Sequence, residues 1–240
     1  EYSEKVIVRE MDYLFNLVKL IEETPIKVIA NYLHWRFVKM VNRDLNHQMS
    51  RLSFEFDKVF SGATEDQPRW LDCVTSTSSL WNFAVGYKYV QLHFNNEAKD
   101  SALEMVGNIR SEFLNQISSI SWMDYKTSHA AKDKLQSMTQ FIGYPHWYNN
   151  QSYLENYYKN LEVGPIHFHN VAQAKHHFVM RHLQMLREPI DRYEWPTSPA
   201  TVNAFYNLQM NSIIFPAGIL QPPFFKKGRP EALNYGGIGV

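Results

Sequence analysis

Apolar residues recur along most of this chain at steps of three and four, the spacing of one face of an α-helix. Val6 and Val8 alternate as the end of a short strand would, and Met11 to Glu22 then reads as helix. Thr24-Pro25 supplies a cap followed by proline at a first helical position, where a missing N–H costs nothing. Ile26, Ile29, Leu33, Phe37 and Met40 mark one face of the helix that follows. Gln48 to Phe60 continues as helix and stops at Gly62. From Pro68 to about Phe94 the pattern is apolar nearly all round, through Trp70, Leu80, Trp81, Phe83, Ala84, Val85, Tyr87 and Val90. A helix with that profile is buried on most sides. Leu103, Val106, Ile109, Phe113 and Ile117 form another stripe. Asp124 caps a helix running to about Gln140, which Gly143 and Pro145 end. Ser152 and Glu155 have the capping-box spacing for a short helix, and Pro165 opens a long one reaching about Leu186.

The texture changes after Trp195. Thr201 to Tyr206 and Ser212 to Phe215 are β-prone runs separated by the polar loop Asn207 to Asn211, which reads as a hairpin or two adjacent strands. Pro216, Pro222 and Pro223 then interrupt regular structure and keep the segment extended. Leu233 to Val240 opens a new helix or leads into one. No internal repeat or low-complexity tract is present.

The 240 residues are 45% hydrophobic and 20% charged, a globular composition large enough for one sizeable core or two small ones. Lys+Arg and Asp+Glu are both 24, so no basic excess recommends nucleic acid or an anionic membrane surface as a partner. The 6 Trp, 14 Tyr and 15 Phe suit an aromatic core and interfaces rather than base stacking. No segment reaches the ~18 apolar residues that span a bilayer, and no charged-then-apolar signal segment opens the chain. Cys73 is the single cysteine, which on its own reads as a buried thiol of a reducing compartment. Asn150-Gln151-Ser152 fits the N-glycosylation sequon, making Asn150 a glycosylation candidate.

Self-contained chemistry is scarce. The chain has no His-Glu-x-x-His, no Gly-x-Ser-x-Gly, no P-loop and no dinucleotide glycine fingerprint. His167, His169, His176, His177 and His182 crowd one predicted helix, and His169 and His176 are two turns apart. A metal site would need further ligands and their supporting partners, so these read as solvated or half-buried helix residues. The run Val202 to Tyr206 is the strongest candidate. A protein that holds an extended peptide does so with the unpaired N–H and C=O groups of an edge strand. Asn203 adds a side-chain carbonyl and amide to that ladder, and asparagine is a poor strand former with little other reason to be there.

Val202-Asn203-Ala204-Phe205-Tyr206, Ile213 to Phe225 and Asn234-Tyr235-Gly236-Gly237-Ile238-Gly239-Val240 together resemble the approach to the catalytic helix of the neprilysin / endothelin-converting-enzyme family of zinc metallopeptidases. Trp35-Arg36-Phe37, Trp70, Cys73, Trp122-Met123-Asp124, Ile142-Gly143-Tyr144-Pro145 and Trp195 also fall where that family has similar residues. The resemblance is weak in the helical part and strong from Val202 onward. Tyr148 to Val163 departs most from the family pattern and receives no role.

The resemblance implies a mainly α fold: a multi-helix lid-type domain followed by the first β-strands of a thermolysin-like α+β catalytic domain. It implies a helical region over 1–165, a connecting helix over 166–190 and opening catalytic strands over 191–240. It assigns substrate main-chain binding to the amide of Asn203 and the carbonyl of Ala204. Ile219, Phe224 and Val240 would line the pocket for the residue after the scissile bond, and valine at 240, where relatives often carry methionine, would leave it slightly roomier. Cys73 would pair with a cysteine far upstream of this chain. Zinc is the implied cofactor, held by two histidines and a glutamate beyond Val240, with a metal-bound water attacking the peptide carbonyl. No zinc ligand and no catalytic residue is expected within this chain, so it should be inactive alone. The implied partners are peptide substrates and the remainder of the catalytic domain, with no nucleic acid and no membrane-spanning segment. The implied location is extracellular, as a secreted protein or the ectodomain of a single-pass plasma-membrane protein. The alternative is a catalytically inactive helical scaffold or interaction protein derived from such a peptidase.

Overall fold

The computed structural model describes residues 8–239, which fall into two compact units, one ending at Asp66 and the other beginning at Gln67. Val6 and Val240 lie outside the described residues, and Val8 is in no strand.

In the first unit, α1 (Met11–Glu23) and α2 (Ile26–Val41) are followed by a 3-10 turn (Asn42–Asp44) and α3 (His47–Ser61). Thr24 does not cap α2; its hydroxyl donates back to the carbonyl of Leu20, closing α1 instead. Asn46 caps α3 by accepting from the Met49 N–H at 3.0 Å. Gly62 ends the same helix in the left-handed conformation, φ 74°, which glycine adopts without steric penalty. Asn42 donates to Ser53 at 2.6 Å and Arg43 pairs with Asp57 at 2.7 Å, tying the turn to α3. The Ile26–Met40 stripe is helical as expected, yet it does not form a core. Ile26, Leu33, Phe37 and Met40 are exposed, and Val41 is the one buried residue of the three helices.

The second unit contains α4 (Arg69–Leu80), α5 (Asn82–His93), α6 (Asn96–Ser119), α7 (Tyr125–Gln136), β1 (Thr139–Gly143), α8 (Gln151–Tyr157), α9 (His167–Met185), β2 (Phe205–Asn207), β3 (Ser212–Pro216) and α10 (Glu231–Ile238). The Pro68–Phe94 pattern is thus two helices, broken at Trp81, and only Phe83 and Gly86 of them are buried. On α6 the buried face is Ala102, Met105, Val106 and Ile117, while Leu103, Ile109 and Phe113 of the expected stripe face outward. Asp124 caps α7 as expected, accepting from the Thr127 N–H at 2.8 Å. That helix ends at Gln136, however, and the next residues form a strand. Asn150, not Ser152, caps α8: its Oδ1 accepts from the Ser152 N–H at 3.1 Å.

Among the described residues the sheet has three strands in the order β1-β3-β2. β1 runs parallel to β3 with Thr139 opposite Ser212 and Gly143 opposite Pro216. β2 runs antiparallel to β3 with Phe205 opposite Ile214, and so lies at the edge. Strand alternation sends neighbouring side chains to opposite faces. Ile142, Ile213 and Phe215 join a core with Ala102, Met105 and Val106 of α6 and with Ile219, Leu220 and Phe225. Phe141 and Ile214 join the other, with Phe83 and Trp195. The Tyr148–Val163 stretch covers this second core. Tyr148 donates to the carbonyl of Phe83 at 2.8 Å, and Tyr158 accepts from the Phe83 N–H at 3.1 Å. Burial raises both phenols, that of Tyr158 to about 12.

Candidate substrate-binding edge

The chain reaches the edge strand through an anchored loop. Ser198 Oγ donates to the carbonyl of Asn82 at 2.9 Å, and the Gly218 N–H donates to the carbonyl of Pro199 at 2.9 Å. The loop also presses on α5 at Gly86, where a Cβ would lie 2.8 Å from the Pro199 ring. Asn203 and Ala204 follow, both exposed, immediately before β2. The paired strand is therefore shorter than the Thr201–Tyr206 run predicts. Asn203 Oδ1 accepts from the Ala204 N–H at 2.8 Å, and its Nδ2 has no partner among the described residues. Beyond β2 the loop is closed by Asn211, which adopts φ 48° and donates to the carbonyl of Lys134 at 2.8 Å. Tyr206 in turn donates to Asn211 Oδ1 at 3.0 Å. A groove of about 430 Å³ runs along this edge, lined by Thr197, Phe205, Tyr206, Leu208 and Ile214 among others.

The segment after β3 turns sharply instead of staying extended. The Ala217 N–H donates to the carbonyl of Gly143 at 2.7 Å, the Ile219 N–H to Pro216 at 3.1 Å and the Leu220 N–H to Ala217 at 3.2 Å. Ile219 is buried at 8% exposure, and Phe224 packs against the same core from its margin. The structure thus brings Ile219 and Phe224 into one cluster, with Asn203 and Ala204 on the sheet edge and Val240 undescribed.

Residues with no role expected of them individually hold this segment in place. Arg229 and Asn234 bind the main chain of Pro223, Phe224, Lys226 and Leu233. Asn108 of α6 donates to the Tyr235 hydroxyl at 2.9 Å, and Lys227 pairs with Glu97 at 2.5 Å. That bond, more than the attendant charge, holds the Glu97 carboxyl below its ordinary range. The only sequence signal for this network was the polar Asn234 amid an apolar lead-in.

Cys73 is exposed on α4, so the buried-thiol reading does not hold. Asn150 is exposed, and its Oδ1 serves the α8 cap. His167, His169 and His176 are exposed; His177 is half-buried against Tyr157 and Tyr158; His182 bonds the carbonyl of Phe178 at 2.9 Å. Among the described residues no three His, Cys, Asp or Glu side chains come together as a metal-holding group. The residues present do not fit a zinc site of their own. Nor is any described helix long and apolar enough to cross a membrane.

The helical body and small sheet match zinc metallopeptidases of known structure. The inhibitor-bound Mycobacterium tuberculosis zinc metalloprotease Zmp1 superposes with a TM-score of 0.87 at 34% identity, over 98% of this chain and 34% of that one. Neprilysin-11 of Caenorhabditis elegans is 37% identical over 98% of this chain and 28% of its own length. Membrane metallo-endopeptidase-like 1 of Mus musculus is 35% identical over 99% of this chain and 32% of its own length. Two models of peptidase family M13 match residues 1–145 and 203–240, and the chain belongs to that family. It spans about a third of the length of these relatives. The resemblance to neprilysin-type peptidases and the mainly helical fold class are both borne out.

Proposed function

We propose that this chain is the substrate-aligning part of a zinc-dependent endopeptidase that cleaves extracellular peptides. Residues 1–165 form its lid-type helical region, 166–190 the connecting helix and 191–240 the opening of its catalytic domain. The zinc ligands and the catalytic glutamate lie outside these residues, so hydrolysis belongs to the longer polypeptide. The observation that carries the reading is the edge position of β2, with Asn203 and Ala204 exposed beside it. A peptide laid along that edge adds a strand. The Asn203 amide and the Ala204 carbonyl hold its main chain, while Ile219, Phe224 and Val240 wall the pocket for the next side chain. Such alignment keeps the scissile carbonyl where the metal chemistry operates and contributes through positioning. An extracellular setting suits two further features. Cys73 is exposed for a disulfide with a cysteine elsewhere, and Asn150 can carry a glycan on its amide nitrogen while Oδ1 keeps the α8 cap.

The test is Asn203→Ala in the full-length polypeptide, assayed on a fluorogenic peptide with zinc present. The expected loss in kcat/KM is about tenfold, the order of one or two main-chain hydrogen bonds, with zinc content unchanged. Wild-type kinetics in the variant would refute the edge as the substrate site. A zinc-loaded wild type without peptidase activity would favour the inactive scaffold. The purified 240 residues alone are expected to cleave nothing.

A further inference from the structure

Residues 221–229 belong to no helix or strand, so the position of Phe224 depends on what grips its main chain. Arg229 grips it with most of its guanidinium. Nη1 donates to the Pro223 carbonyl at 2.9 Å, and Nη2 donates to the carbonyls of Phe224 at 2.8 Å and Leu233 at 2.7 Å. Its Nε donates to Asn234 Oδ1 at 2.6 Å. Asn234, 5% exposed, completes the fastening: Oδ1 also accepts from the Lys226 N–H at 3.0 Å, and Nδ2 donates to the Lys226 carbonyl at 3.1 Å. From the other side α10 approaches so closely that a Cβ on Gly237 would lie 2.4 Å from the Phe224 carbonyl oxygen. One side chain and one helix therefore fix the carbonyl of Phe224, a residue at the margin of the core, while Asn234 braces the guanidinium and the Lys226 main chain.

We infer that Arg229 and Asn234 are positioning residues that set the depth of the pocket beside Phe224, and so the size of the substrate side chain accepted there. The inference rests on the proposed function, in which Phe224 lines that pocket. A planar fork reaching three carbonyls and one amide oxygen fixes the loop in direction as well as distance, which a single ammonium does not do. Without it the aromatic ring keeps its apolar contacts but loses its register against α10. The substrate pocket then changes shape while chemistry elsewhere is untouched.

The experiment uses the full-length zinc-loaded polypeptide and two fluorogenic peptides that differ only in the residue after the scissile bond, one Phe and one Ala. Arg229→Ala should change the ratio of kcat/KM between the two peptides by fivefold or more, mainly through KM. Amide exchange across Phe224 to Gly228 should rise in the same variant. Arg229→Lys should restore the ratio only in part. An active wild type whose ratio moves less than twofold in Arg229→Ala overturns the inference, whatever the exchange shows. Equal losses on both peptides overturn it too, since they mark a merely structural role. A zinc-loaded wild type that cleaves neither peptide refutes the peptidase reading, and this inference with it.

Discussion

A Cβ on Gly218 would sit 2.6 Å from the carbonyl oxygens of both Ala200 and Thr201. Both are backbone atoms, so no side chain can swing away to make room. Gly218→Ala must displace the loop that delivers Asn203 to the sheet edge. The expected cost is about 1–3 kcal/mol, the usual range for overpacking a tight contact. Thermal unfolding should show it as a loss of about 2–4 °C per kcal/mol. In the full-length polypeptide, KM should rise as the edge shifts. An unchanged midpoint and unchanged KM would mean that the two loops are not in register with one another. The sequence displayed this glycine plainly, inside a run with Pro216 and Pro222. It could not display which backbone would lie against it, because Ala200 is brought there only by the assembled fold. Arg229 was illegible for the same reason. Its partners are main-chain carbonyls, which every residue has, and their convergence is a property of the fold.

At the scale of elements, local chemistry and the β2–β3 hairpin were readable, and the parallel pairing was not. Asp124 starts α7 and Gly62 ends α3 where their side-chain and φ preferences predict. Phe205 and Ser212 begin strands near where the hairpin was expected. β1 was missed because Thr139 to Gly143 follows a helix directly and pairs in parallel with a strand some seventy residues away. Parallel pairing leaves no hairpin turn to announce it. The α8–α9 contact carries a prediction at this scale. His177 of α9 has a buried Nε2 without a partner and lies 5.7 Å from the Tyr157 ring and 6.0 Å from Tyr158. Burial, with Arg181 and His176 adding positive charge, holds its imidazole below the ordinary value of 6.5. The folded contact therefore takes up a proton less readily than the open one. Its stabilisation is fully present above about pH 6.5. It is lost as pH falls from there through the lowered folded value. The neighbouring phenols of Tyr157 and Tyr158 are raised by burial and stay neutral in this window. His177→Gln should flatten stability against pH between about 5 and 7. Denaturant unfolding at several pH values measures it, and an unaltered slope would remove His177 from the account.

At the scale of the whole chain, surface area decides more than any motif. The solvent-accessible area is 18016 Å². Two separate compact bodies of 66 and 174 residues would expose about 13,000 Å² by the usual scaling with mass, so the excess does not depend on how the units are arranged. Large apolar side chains contribute to it. Phe15 is 68% exposed on α1 and Ile26 is 85% exposed on α2, and Leu33, Trp35 and Phe37 lie open on the same helix. Periodicity marked the α2 stripe as one face of a helix. The stripe is real, but nothing among the described residues of its own unit covers it. A helix with an apolar stripe and nothing upon it exposes more hydrophobic surface than a soluble monomer ordinarily tolerates. The reading in which a longer polypeptide supplies the cover makes a definite prediction for the 240 residues expressed alone. They should bind a hydrophobic dye strongly, self-associate as concentration rises, and unfold without a sharp transition over α1 and α2. The second unit, with two cores meeting across its sheet, should keep more protected amides than the first. Sedimentation and amide exchange on one preparation distinguish the outcomes. A dye-silent monomer at tens of micromolar, with equal protection in both units, would mean that these stripes need no cover. The case for a larger enzyme would then rest on likeness to the longer relatives alone.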